Sequence, residues 1–243
     1  MIATPPPIAT LGVVCWLWAD PAYRYGLRYG AEHVNRLSRM VALHLAEPHR
    51  FYCVTDMPDG LDRDVEVVPL SRWDDLRDMG GTWMRLKMFS AEARAAFGER
   101  ILLLDLDAVI TGSLDPLLDT DAEFVTCPCT NRGSHYTTGF YLLRAGSRQM
   151  CWDGFDRGAA ARAVRTDGMW EQGWISHVLG PGERKWGPAD GVYAYGADLC
   201  RRPVTGVRGA LPDDARVVLF HGPHDPSLPE TQALSPWIRE RWR

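Results

Sequence analysis

Two carboxylates one residue apart lie in the stretch ILLLDLDAVITGS (residues 101–113), where four apolar residues run straight into Asp105 and Asp107. Two hard oxygen ligands this close attract Mg²⁺ or Mn²⁺, ions that keep open positions for substrate phosphates. The same pair permits a second chemistry, in which Asp105 is a nucleophile toward a phosphate. A third reading is a solvated strand end whose acids cap a helix or face water. A lone Asp-x-Asp is too short to choose among them.

The elements that must position these residues are legible in the pattern. LGVVCWLWAD reads as a buried strand ending at Asp20, and Pro21 opens a helix that runs on through residue 45, with Val34, Leu37, Val41 and Leu45 on one stripe. RFYCVTD and DVEVVPL are short strands separated by a turn, and WMRLKMFSAEARAAF reads as one helix closed by Gly98. Arg85 and Lys87, two apart on that helix, are expected on different faces, with one of them at the surface. ILLLDLDAVI is an apolar run of the kind buried on both faces of a sheet, and alternate residues place Asp105 and Asp107 on one side at its carboxyl end. Beyond about residue 120 the pattern is mixed. EFVTCPC and TTGFYLLRAG read as strands, residues 147–163 and 170–179 as helices, and RVVLFHG as a late strand. The alternation predicts an α/β fold with a mixed, mostly parallel central sheet and helices on both sides. One domain is expected over 1–243, with a nucleotide-binding half to about residue 120 and an acceptor half from about 121.

Composition bounds the function. The chain has 243 residues, 46% hydrophobic and 24% charged, as in an ordinary globular protein with a sizeable core. A net charge of −4 argues against a broad nucleic-acid surface. Lys87 and Lys185 are the only lysines, against 25 arginines, and arginine suits phosphate and carboxylate recognition. Six dispersed cysteines, with Cys127-Pro-Cys129 the only close pair, make neither a zinc-knuckle pattern nor a disulfide framework, so a reducing, cytoplasmic setting is expected. No segment reads as transmembrane or as a signal peptide. The C-terminal SPWIRERWR reads as a last helix packing its tryptophans, peripheral membrane contact being the other option.

Locally, LLLDLDAVITGS resembles the haloacid-dehalogenase-type phosphatases. That motif usually opens its domain and needs a downstream lysine and acidic pair. Here it begins at residue 101, the only downstream lysine is Lys185, and Asp213-Asp214 precedes a strand.

A longer pattern resembles the GT-A-fold glycosyltransferases of family 8, which include the glycogenins and bacterial lipopolysaccharide galactosyltransferases. Its pieces occur in the family's order: Ala19-Asp20-Pro21-Ala22-Tyr23, Trp83-Met84-Arg85-Leu86-Lys87, Asp105-Leu106-Asp107 with Gly112-Ser113-Leu114-Asp115-Pro116-Leu117, Glu171-Gln172-Gly173-Trp174-Ile175, and Val218-Leu219-Phe220-His221-Gly222. The resemblance implies a retaining, metal-dependent transfer of a sugar from a nucleotide donor, a UDP-sugar, to an acceptor of unspecified class, whether glycan, protein or small molecule. It implies that Asp105, Asp107 and His221 hold Mn²⁺ or Mg²⁺, and that Asp20 and Tyr23 contact the base. Arg85, Lys87, Thr138, Gly139 and Gly222 would line the donor, and Glu171 or Gln172 would lie near the anomeric carbon. A non-catalytic nucleotide-sugar-binding relative is the alternative within the same fold. Three departures stand out, the first being that the acid of the family's Asp-Gln pair is Glu171, one methylene longer. Thr137-Thr138-Gly139 replaces the family's common Asn-Ser-Gly, and Asp225 stands where the family has a lysine on the donor phosphates.

Overall fold

The computed structural model describes residues 11–19, 29–129 and 133–243. The described strands are β1 (Leu11–Leu17), β2 (His49–Thr55), β3 (Glu66–Pro69), β4 (Arg100–Leu104), β5 (Val109–Ile110), β6 (Phe124–Pro128), β7 (Tyr136–Arg144), β8 (Arg184–Lys185), β9 (Val192–Ala194) and β10 (Val217–Leu219). The helices are α1 (Ala31–His44), α2 (Glu92–Phe97), α3 (Asp115–Leu118), α4 (Met150–Asp153), α5 (Arg157–Ala163), α6 (Trp170–Leu179), α7 (Pro229–Leu234) and α8 (Trp237–Arg241).

Seven strands form a sheet in the order β3-β2-β1-β4-β7-β6-β8, and β5-β10-β9 form a small second one. The first four run parallel, while β7 is antiparallel to both β4 and β6. This is the mixed, mostly parallel sheet read from the sequence. Strand alternation sends Val13, Cys15, Leu102 and Leu104 to one face, against α1 and the small sheet. Val14, Trp16, Ile101 and Leu103 go to the other, against α2, α4, α5, α6 and the turn at Trp83–Phe89.

Four expectations are corrected. WMRLKMFSAEARAAF is not one helix: Trp83–Phe89 is a 3-10 helix with all seven residues buried, Ser90 is extended, and α2 follows. Its seven side chains must all find partners inside the protein, so Arg85 and Lys87 are both buried, not one at the surface. Residues 147–163 break at Gly154 into α4 and α5, the latter capped by Asp156, whose carboxylate accepts from the Ala159 N–H (2.7 Å). Finally, β4 stops at Leu104, so Asp105 and Asp107 lie in a turn closed by the Ala108 N–H to the Asp105 carbonyl (3.1 Å). They do not alternate on a strand. Asp20 and Tyr23 lie outside the described residues.

The last helix packs as expected. Trp242 is buried, under the Arg36 guanidinium (4.4 Å to the ring centre) and beside His33 (5.5 Å). Among the described residues no helix is long and apolar enough to cross a membrane.

Candidate functional site

The site lies where the parallel part of the sheet meets its antiparallel part, at the carboxyl end of β4. Register brings the far side of β7 to it. From Val125 to Cys127, β6 advances two residues, while the partners on β7 go from Leu142 to Thr137. The extra residues of this bulge include Thr138 and Gly139, which stand against the turn after β4; bulges commonly re-aim groups beside a site. The Asp105 N–H donates to the Gly139 carbonyl (2.7 Å). A Cβ on Gly139 would fall 2.3 Å from Asp105 Oδ2, so only glycine admits the carboxylate in this position.

Arg85 is the centre of the cluster. Its Nη1 lies 2.8 Å from Asp105 Oδ1, its Nη2 donates to the Thr138 carbonyl, and its Nε faces Glu171 Oε1 at 3.8 Å without forming a hydrogen bond. Glu171, in the first turn of α6, accepts from the Thr138 hydroxyl (2.8 Å) and from the Thr82 hydroxyl. Burial pushes the Glu171 carboxyl above its ordinary range, against the opposing pull of Arg85 and the two hydroxyls. Burial also works against the charge of Arg85, but Asp105 and Glu171 outweigh it and raise the guanidinium's pKa. A buried cation between two carboxylates keeps this cluster polar and ordered.

Asp107, 8% exposed, accepts from the Tyr29 hydroxyl (3.0 Å). Gln172 follows Glu171 on α6 and places its amide nitrogen 3.6 Å from Cys129 Sγ. His221 follows β10; burial, then Arg201 and His224, hold its imidazole below the ordinary pKa, which favours the neutral, ligating form. Gly222 beyond it has φ 69°, the left-handed region that glycine enters freely.

The structure therefore joins Asp105, Arg85, Thr138, Gly139 and Glu171 in one cluster. It does not join Lys87 to it. The Lys87 ammonium lies 2.8 Å from Asp75 and 3.2 Å from Glu92, and donates to the Arg72 carbonyl (2.8 Å). Sequence reasoning missed Thr82 and Tyr29. Their partners are 89 and 78 residues away, and neither sits in a motif.

Asp225, at the place of the family's phosphate-contacting lysine, is fully buried, its carboxylate accepting from the N–H (2.8 Å) and hydroxyl of Ser227. Among the described residues no three His, Cys, Asp or Glu side chains form a ready-made metal cluster. The donor set itself, two carboxylates and an imidazole kept neutral, still suits a hard divalent cation.

The architecture is that of the GT-A glycosyltransferases. Among solved structures, galactosyltransferase LgtC in complex with donor and acceptor sugar analogues aligns with a TM-score of 0.56 at 14% identity, over 96% of this chain and 96% of that one. The apo bifunctional glycosyltransferase WbbM aligns at 0.58 and 12% identity, over 98% of this chain and 52% of that one. The apo form of GlyE from Streptococcus pneumoniae TIGR4 aligns at 0.51 and 13% identity, over 90% and 56%. No protein-family model matches the sequence, and no curated protein matches it. At such identities the likeness concerns the fold.

Proposed function

We propose that this protein is a glycosyltransferase that moves a sugar from a nucleotide-sugar donor, a UDP-sugar, to an acceptor, with Mn²⁺ or Mg²⁺ as cofactor. The observation that carries the reading is the Asp105–Arg85–Glu171 cluster, in which a buried guanidinium joins a buried and a half-exposed carboxylate at the carboxyl end of β4, in a fold shared with sugar-transferring enzymes.

In this reading Asp105, Asp107 and His221 hold the metal. A bound divalent ion supplies charge neutralisation for a departing diphosphate. The chain's own groups set the geometry. Arg85 holds Asp105 from behind and is itself held by Thr138 and Glu171, so it acts as a positioning residue and not as a phosphate contact. Both Glu171 oxygens are engaged by hydroxyls, so Glu171 orients Arg85 and the start of α6. Gln172, half-buried and next in line, is the member of the pair that meets the transferred sugar. The half before about residue 120 supplies the nucleotide side, including Asp20 and Tyr23, and the later half supplies the acceptor side and the C-terminal strand that completes the metal site. The reading includes retention of anomeric configuration and a cytoplasmic setting.

The phosphatase reading loses its lysine here. Lys185 donates to the Pro181 carbonyl (2.9 Å) and lies over the Tyr136 ring, while Asp105 is tied to Arg85.

The test is nucleotide release from a panel of nucleotide sugars with Mn²⁺, Mg²⁺ or EDTA, beside a phosphomonoester control. Release that needs the metal and disappears in Asp107→Asn is expected. Nucleotide binding without any release would move the protein to the non-catalytic relatives, and phosphate release from the control would restore the phosphatase.

A further inference from the structure

The chain between β9 and β10 begins with a π-helical turn, Tyr195–Arg201, a form often found at functional sites. The turn opens onto a cleft of about 370 Å³ lined by Ala197, Asp198, Arg201 and Arg202. Gly196 brings two imidazoles to the same place: a Cβ there would stand 3.3 Å from His224 Cδ2 and 3.8 Å from His221 Nε2. Arg201 Nε donates to the Gly196 carbonyl (3.2 Å), which anchors the arginine beside both rings. Arg201 and Arg208 each act on His224 through their charge.

The charge balance of the cleft is one-sided. Arg201 and Arg202, which line it, are exposed, and among the described residues neither is in an ion pair. The one acid lining the cleft, Asp198, accepts from the Ala194 N–H (2.8 Å). Guanidinium groups gathered in a concave site without carboxylate partners focus positive potential and match the paired oxygens of a phosphate. Meanwhile the run Gly222-Pro223-His224-Asp225-Pro226 after His221 holds no lysine or arginine, and its one acid is buried.

We propose that this cleft takes the diphosphate of the donor, with Arg201 and Arg202 supplying the cationic contacts that the run after His221 lacks. The assignment rests on the nucleotide-sugar reading above. It names residues outside every motif that suggested that reading.

Titration calorimetry on the full chain separates the two. The probes are inorganic pyrophosphate alone and a set of UDP, GDP and ADP with Mn²⁺. The variants are Arg201→Gln/Arg202→Gln and, as a charge-matched control on an exposed helix and loop, Arg162→Gln/Arg165→Gln. Arg202→Gln alone, which touches no internal hydrogen bond among the described residues, guards against a folding defect, and melting curves accompany each protein. We expect pyrophosphate and the preferred nucleoside diphosphate each to lose at least tenfold in affinity in the cleft double variant and to be unchanged in the control. Pyrophosphate that does not bind the wild type, or binds the cleft variant equally well, overturns the proposal. A nucleoside diphosphate bound equally by both proteins also overturns it, and leaves the nucleotide-sugar reading standing. Pyrophosphate held by these arginines with no nucleoside diphosphate bound overturns the donor assignment and the nucleotide-sugar reading together.

Discussion

Arg85 and Glu171 face each other at 3.8 Å with 2% of the glutamate side chain exposed, and the far end of the same guanidinium holds Asp105 at 2.8 Å. One buried cation thus couples the turn after β4 to the first turn of α6. Neither carboxylate can move without altering the field at the other.

Glu171→Ala removes one side of this arrangement and leaves Arg85 over a void. The expected loss of stability is about 3–5 kcal/mol, as for removal of one partner of a buried ion pair. Glu171→Gln keeps an acceptor and a shape for Thr82 and Thr138, and so loses less. Denaturant titration of both variants measures the difference. Equal losses would mean that the charge, not the hydrogen bonding, sets the effect.

Gly139→Ala places a methyl group 2.3 Å from Asp105 Oδ2, a separation that real side chains do not tolerate. The carboxylate must swing away. Metal-dependent nucleotide release is expected to fall roughly a hundredfold, the scale of an ångström-level misplacement in a site. The melting temperature should fall less than in Glu171→Ala, because Asp105 is 42% exposed and its pairing with Arg85 is partly screened by solvent. Unchanged release would remove Asp105 from the working geometry.

Lys87→Met tests the separation of Lys87 from the Asp105 cluster. Its ammonium is held by Asp75, Glu92 and the Arg72 carbonyl. Stability should fall by about 1–3 kcal/mol as these partners lose a charged donor, while KM for the donor stays where it was. A raised KM would restore Lys87 to the donor site.

Stability should decline as pH falls below neutrality. Burial holds the His33 imidazole below its ordinary value of 6.5, against the opposing pull of Asp225 and Glu32. The unfolded chain therefore takes up a proton first. The contribution is complete above pH 6.5 and is lost as pH falls from there through the folded-state value. His44, His221 and His224 are lowered likewise and act in the same direction. In His33→Gln, whose amide oxygen can still accept from the Gly30 N–H, the slope of stability between pH 7 and 5 should be shallower. Urea midpoints across that range give the comparison.

What the sequence disclosed was the scaffold. Continuous apolar runs such as ILLL and VVCWL can only be satisfied between layers, so β1 and β4 were legible, and with them the position of Asp105 at a strand end. The direction of each side chain was not. Asp105 and Asp107 read as neighbours on one side of a strand, yet β4 ends before them, and they turn to Arg85 and Tyr29 respectively. Arg85 and Lys87 read as opposed on an α-helix. The 3-10 winding and full burial of Trp83–Phe89 instead send them to separate acids, Arg85 to Asp105 and Glu171 and Lys87 to Asp75 and Glu92. Thr82 had no motif to mark it, because its role exists only once α6 docks 89 residues later. Local periodicity carries the elements, whereas the site depends on docking that no short window contains.

The pairing of β5 with β10 has a consequence for the order of assembly. Thr111 donates through its hydroxyl to the Ala215 carbonyl, 104 residues along the chain, and through its N–H to Arg216 (2.8 Å). Closing a loop twice as long costs about 0.6 kcal/mol more entropy before any contact rewards it, and long-range pairing is the slower to form. Arg85, Asp105 and Gly139, much nearer in sequence, can find one another sooner. During folding the carboxylate end of the site is therefore expected to mature first. His221 and the arginine cleft follow as the β5–β10 pairing closes. Hydrogen exchange would show this as earlier protection of the Asp105 amide than of the Thr111 amide.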